Sequence, residues 1–141
     1  MKDQSQRADD SVIDLQHARA RLQSHSRKAS PETLTRELEA IRDLLSQGLT
    51  TEARSRLTSL LTQARNHPAL MAEARRSLSI ALEMQGEYRE SLEVIAMYEP
   101  PEARAKLDPA LSCALRVQLA LAYNYNGDHP KAIAMLKSIR P

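Results

Sequence analysis

The sequence predicts an all-α chain made of a repeated helical hairpin, and its glycines, its prolines and its lack of strand-forming runs predict it. The three glycines, Gly48, Gly86 and Gly127, recur 38 (48 to 86) and 41 (86 to 127) residues apart. A proline precedes each by 17 or 18 residues: Pro31, Pro68 and Pro109. Four residues before each glycine stands a bulky residue (Leu44, Leu82, Tyr123), five after a small one (Ala53, Ser91, Ala132), and nine after a bulky aliphatic (Leu57, Ile95, Leu136). Proline is tolerated where a helix opens, because the N–H it lacks has no intrahelical partner there, and glycine supplies the left-handed residue that closes one. Aromatics make up 3% of the chain, with no Phe or Trp, so the core must be aliphatic and suited to helix-on-helix packing.

The elements follow in order. Residues 1–10 (MKDQSQRADD) read as a disordered polar lead-in. Ser11 has the look of an N-cap, with Asp14 three residues on, and Val12, Leu15, Ala18 and Leu22 recur at helical spacing. An amphipathic helix is expected over 12–25, so residues 11–29 form a capping helix and polar connector. Residues 30–66 make the first hairpin, turning at Gly48, with Ser30 as a cap before Pro31. Residues 67–107 make the second, whose second helix should run to about Tyr98 before Glu99-Pro100-Pro101 breaks the chain. Residues 108–141 make the third, capped by Asp108, turning at Gly127 and reopening at Pro130.

Composition narrows the function. At 141 residues and 42% hydrophobic content the chain can bury one real core. The formal charge of +2 lies in residues 1–30, with six Lys/Arg against four Asp; the rest carries fourteen of each sign. A neutral repeat region is no phosphate-binding footprint, so nucleic acid is not expected as a partner. No apolar run approaches the length of a membrane span, and one cysteine, Cys113, fits a reducing, cytoplasmic setting. His17, His25, His67 and His129 share no metal-ligand spacing, and no phosphate loop or activated nucleophile is recognisable. The chain is therefore read as a non-enzyme without metal or cofactor.

The three hairpins resemble the tetratricopeptide repeat. Leu119, Ala120, Tyr123, Gly127-Asp128, Ala132 and Leu136 carry the likeness best, followed by Leu78, Ser79, Leu82, Gly86-Glu87-Tyr88, Ser91 and Ile95. Ala40, Ile41, Leu44, Gly48, Ala53 and Leu57 complete the set. The departures are repeats longer than 34 residues and Glu37, Arg75 and Arg116 where the motif carries an early Trp. The resemblance implies a right-handed α-solenoid of three hairpins whose first helices line a concave groove, and a scaffold that binds proteins or peptides there. The groove residues it implies are Leu38, Arg42, Leu45, Arg76, Ile80, Glu83, Met84, Val117, Leu121, Asn124 and Tyr125. A carboxylate clamp would fall on Leu38, Arg42, Ser77, Ala114 and Gln118, where Arg42 alone is charged, so an acidic chaperone tail is disfavoured. An alternative use for the groove aliphatics is burial against the N-terminal segment or another subunit.

The last helix carries Ile133, Met135, Leu136 and Ile139 with no further hairpin to cover them, which predicts a self-association surface at that end. Two other readings stay open: a regulatory fragment of a larger protein with a separate output domain, and a self-assembly module.

Overall fold

A computed structural model describes residues 29–139. The lead-in 1–10 and the amphipathic helix expected at 12–25 lie outside the described residues. Helix α1 spans Pro31–Ser46, α2 Thr50–Gln63, α3 Pro68–Met84, α4 Tyr88–Glu93, α5 Pro101–Arg104, α6 Pro109–Tyr125 and α7 His129–Lys137. A 3-10 turn, Ala96–Tyr98, lies between α4 and α5. Among the described residues there is no strand. Successive helices pack as antiparallel pairs, α1 with α2, α3 with α4 and α6 with α7, and the first helices also contact one another, α1 with α3 and α3 with α6.

Each pair is closed by the same glycine turn. Gly48, Gly86 and Gly127 have φ of 79°, 76° and 82°. At the second turn Gly86 N–H donates to the Glu83 carbonyl (3.0 Å) and Glu87 N–H to the Leu82 carbonyl (2.9 Å). These are the two bonds of a Schellman motif, and the bulky residue four before the glycine supplies the second acceptor. The pattern repeats at Leu49 to Leu44 and Asp128 to Tyr123, both 2.9 Å. No atom lies within 4 Å of where a Cβ would stand on Gly86, so its φ alone demands glycine.

Beyond each turn the small residue sits at the helix crossing: Ala53, Ser91 and Ala132 are all buried. In the second hairpin the crossing is a reciprocal clasp. Ser79 Oγ donates to the Ser91 carbonyl and Ser91 Oγ to the Ser79 carbonyl, both at 2.8 Å. Gln118 on α6 donates to Ser79 Oγ (3.1 Å) and ties the third hairpin to this crossing.

Glu37, Arg75 and Arg116 join the two helices of each pair by polar contacts. Glu37 pairs with Arg56 on α2 at 2.9 Å. Arg75 donates to the Val94 carbonyl at the end of α4 (3.0 Å), and Arg116 to the Ser138 carbonyl at the end of α7 (2.8 Å). A cation on the last carbonyls of a helix meets orphan acceptors and the negative end of the dipole.

The second helix of hairpin two does not run unbroken to Tyr98. It leaves α geometry at Ile95 (φ −122°, ψ −4°), and Pro100 is extended. Pro101 then opens α5, a one-turn helix where the sequence read only a chain break. Buried Arg104 stabilises the bend by donating to the Tyr98 and Glu99 carbonyls, both 2.6 Å, and Glu99 accepts a hydrogen bond from the Tyr123 hydroxyl. The capping also differs from expectation. Asp108 makes no side-chain cap bond, whereas Asp128 accepts from the Lys131 N–H.

Gly86→Val should cost about 1–2 kcal/mol for the left-handed backbone, and more for its β-branch, while Gly86→Asn costs less. Thermal melts of both variants check the order. Arg75→Met, which keeps the stem and removes the charged donor, should cost about 1–2 kcal/mol in a denaturant titration.

Candidate functional site

Two surfaces emerge, and they divide the expected groove residues differently from the sequence reading. The first lies on α1 and α3. Arg42 pairs with Glu73 across these helices at 3.7 Å. Arg76, one turn beyond Glu73 on α3, forms no ion pair within 4 Å among the described residues, and its Nε is enclosed without a hydrogen-bond partner. Burial first, then neighbouring Arg42, lowers its affinity for a proton, and Glu73 offsets this only in part. Ile80 and Glu83 continue the same face at i+4 and i+7, and Met84 beside them is exposed. A hollow of roughly 420 Å³ opens at the helix starts, lined by Thr35, His67 and Glu73 among others.

Glu83 is half-buried towards α6, and its Oε1 has no hydrogen-bond partner. Burial pushes its carboxyl above the usual carboxylate range, opposed by the Gln118 amide. A carboxyl raised in the fold favours folding most when protonated, so this contribution is present in acid and is lost as the pH rises through its folded-state value.

The second surface is the outer side of the last pair. A hollow of roughly 450 Å³ between α6 and α7 is lined by Val117, Leu121, Asn124, His129, Ile133 and Leu136, with Ala120 and Ala132 at its base. His129 Nδ1 and Asn124 Oδ1 stand 2.7 Å apart at its rim. Leu57 and Ile95, at the position of Leu136 in the earlier hairpins, are fully buried, whereas Leu136 is 51% and Ile133 52% exposed. The earlier residues meet a following hairpin, and no helix follows α7 among the described residues.

Several expected site residues are corrected by this geometry. Leu38 and Leu45 are 1% and 8% exposed and do not line a groove. With Leu34 and Ile41 they form one core stripe at i, i+4, i+7 and i+11 of α1. Val117, Leu121 and Asn124 belong to the end hollow with Ile133 and Leu136. Tyr125 stacks on Tyr88 instead, ring centroids 4.6 Å apart and nearly parallel. Met135 packs against the core cluster containing Tyr123 and Ala132, and Ile139 is half-buried, so neither is a bare end residue. Leu38, Ser77 and Gln118 are all buried, which closes three of the five positions a carboxylate clamp would use. The end hollow was missed as a unit, although its residues fall at i and i+4 on α6 and i and i+3 on α7.

The TPR domain of Arabidopsis FLU is similar to this chain with a TM-score of 0.65 and 23% sequence identity, over 74% of this chain and 89% of that chain. The fold is that of a tetratricopeptide repeat domain. No protein-family model matches the sequence, and no curated protein matches it. Within the TPR fold, α1, α3 and α6 are the first helices of their pairs, and Arg42, Arg76, Ile80 and Glu83 lie on α1 and α3. No described helix is long and apolar enough to cross a membrane.

Met135→Lys should destabilise by about 2–3 kcal/mol, since it places a charge against the core, whereas Leu136→Lys should stay within about 0.5 kcal/mol. Chemical denaturation of the two variants separates them. Glu83→Gln should raise the melting temperature at pH 7, and the gain should vanish below about pH 4, where the wild-type carboxyl is protonated in both states. A gain that persists in acid would contradict the burial account.

Proposed function

We propose that this chain is a non-catalytic protein-binding module that takes a peptide or helix of a partner on its α1–α3 groove. The observation that carries the reading is a charge surplus on an otherwise neutral array: Arg42 pairs with Glu73, and Arg76 beside them has only this same carboxylate near it, beyond ion-pair distance. Two guanidiniums with a single counter-charge favour a ligand carboxylate, and Ile80 and Met84 offer apolar contact beside it. Stacked repeats supply the rigid extended surface such recognition uses.

Selection of phage-displayed peptides on the immobilised chain, counter-selected on the Arg42→Glu/Arg76→Glu double variant, tests this. Enriched peptides should carry an acidic residue and bind the wild type at least tenfold tighter than the double variant. Equal binding to both, with the double variant folded by circular dichroism, overturns the groove.

The exposed Ile133 and Leu136 favour a second, separate contact: the end hollow covers itself against an apolar surface, a second copy of the chain being the simplest. Sedimentation across a concentration series should then show association that Leu136→Lys removes. A wild type that stays monomeric at high concentration overturns this second contact.

A further inference from the structure

The groove side of α3 carries two charges of opposite sign that cannot satisfy each other. Arg76 and Glu83 stand seven residues apart, on one face of the helix and about 10 Å apart along its axis. Among the described residues neither has an ion-pair partner within 4 Å, and each has an enclosed polar atom with no hydrogen bond, Nε on Arg76 and Oε1 on Glu83. The groove therefore has a positive station where α1 meets α3, a negative station where α3 meets α6, and the apolar Ile80 between them.

We propose, resting on the groove reading above, that the partner segment is an amphipathic helix with the complementary order: a carboxylate at Arg42 and Arg76, an aliphatic at Ile80, and a lysine or arginine at Glu83. A helix laid along α3 has the same rise per residue, so an acid and a base seven residues apart in the partner meet both stations at once. Both groups on the chain are already partly desolvated, so an arriving counter-charge gains attraction against a penalty the fold has largely met. A partner bearing one sign only would leave one station unpaired and meet like charge there, which sets specificity as much as affinity.

The test uses three alanine-rich fluorescent helical peptides identical but for two positions seven apart around a central leucine: glutamate with lysine, two glutamates, and two lysines. Fluorescence anisotropy on the full chain should show the mixed peptide binding at least tenfold tighter than either single-sign peptide. Glu83→Lys should reverse the ranking in favour of the two-glutamate peptide, and Glu83→Gln, which keeps the shape, should make the mixed and two-glutamate peptides equal. Absence of the tenfold preference in the wild type, or an unchanged ranking in Glu83→Gln, overturns the proposal. If the phage-selected peptides still lose binding on reversal of Arg42 and Arg76, the groove stands and only the charge order fails. If they do not, both fail.

Discussion

Each hairpin depends on one residue that can hold φ near +80° at the end of its first helix. With that residue in place, two backbone bonds close the helix and send the chain back along it, as at Gly86 and Glu87. The return brings the residue five positions on, Ala53, Ser91 or Ala132, to the closest approach of the two helices. The residue just before the glycine has its own task of tying the turn to the preceding hairpin. Gln85 accepts from Arg54 (3.0 Å) and lies 3.3 Å from the Thr50 hydroxyl. Asn126 donates to the Tyr88 carbonyl (2.8 Å), beside the Tyr88–Tyr125 stack. One local conformation thus sets the pairing within a hairpin and helps set the stacking between hairpins.

With few aromatics to fill space, the array uses polar clasps where larger side chains would otherwise pack. Arg75 and Arg116 hold the ends of second helices by their carbonyls, and Glu37 ties α1 to the middle of α2 through the Arg56 side chain. The part-buried Arg75 bond contributes about 1–2 kcal/mol, above a surface ion pair such as Arg42–Glu73. The Ser79–Ser91 clasp buries two hydroxyls with their bonds made, so a close crossing carries polar atoms without leaving them unsatisfied. Arg104 applies the same solution to the bend after α4, where the freed Tyr98 and Glu99 carbonyls need a donor.

Two surfaces mark where this economy runs out. On α3 the charges are not all matched, and Arg76 and Glu83 keep enclosed atoms without partners. On the outer side of α6 and α7 the apolar residues are not all covered. The first surface is charged, and the second is lined mainly by apolar side chains. Neither needs a moving part, since both lie on helices fixed by the glycine turns.

The sequence by itself determined the hairpins, because a left-handed turn and a helix start are local matters. Glycine among L-residues with a Cβ, and proline at a first turn, express their preference within a few bonds, so the positions of Gly48, Gly86, Gly127, Pro31, Pro68 and Pro109 placed the helix boundaries. Helical spacing also gave the common face of Arg76, Ile80 and Glu83 on α3. Tertiary structure alone decided which aliphatics are bare. Leu45 and Leu121 both fell at groove positions by repeat counting, yet one is core and the other lines the end hollow, because burial depends on what packs opposite. Met135 and Leu136 are adjacent and both apolar, and a rotation of about 100° about α7 puts one against the core cluster and the other in the hollow. The break at Ile95 was likewise hidden, since its stability comes from Arg75 and Arg104, 20 residues before and nine after it in the chain, whose carbonyl contacts only the folded chain assembles.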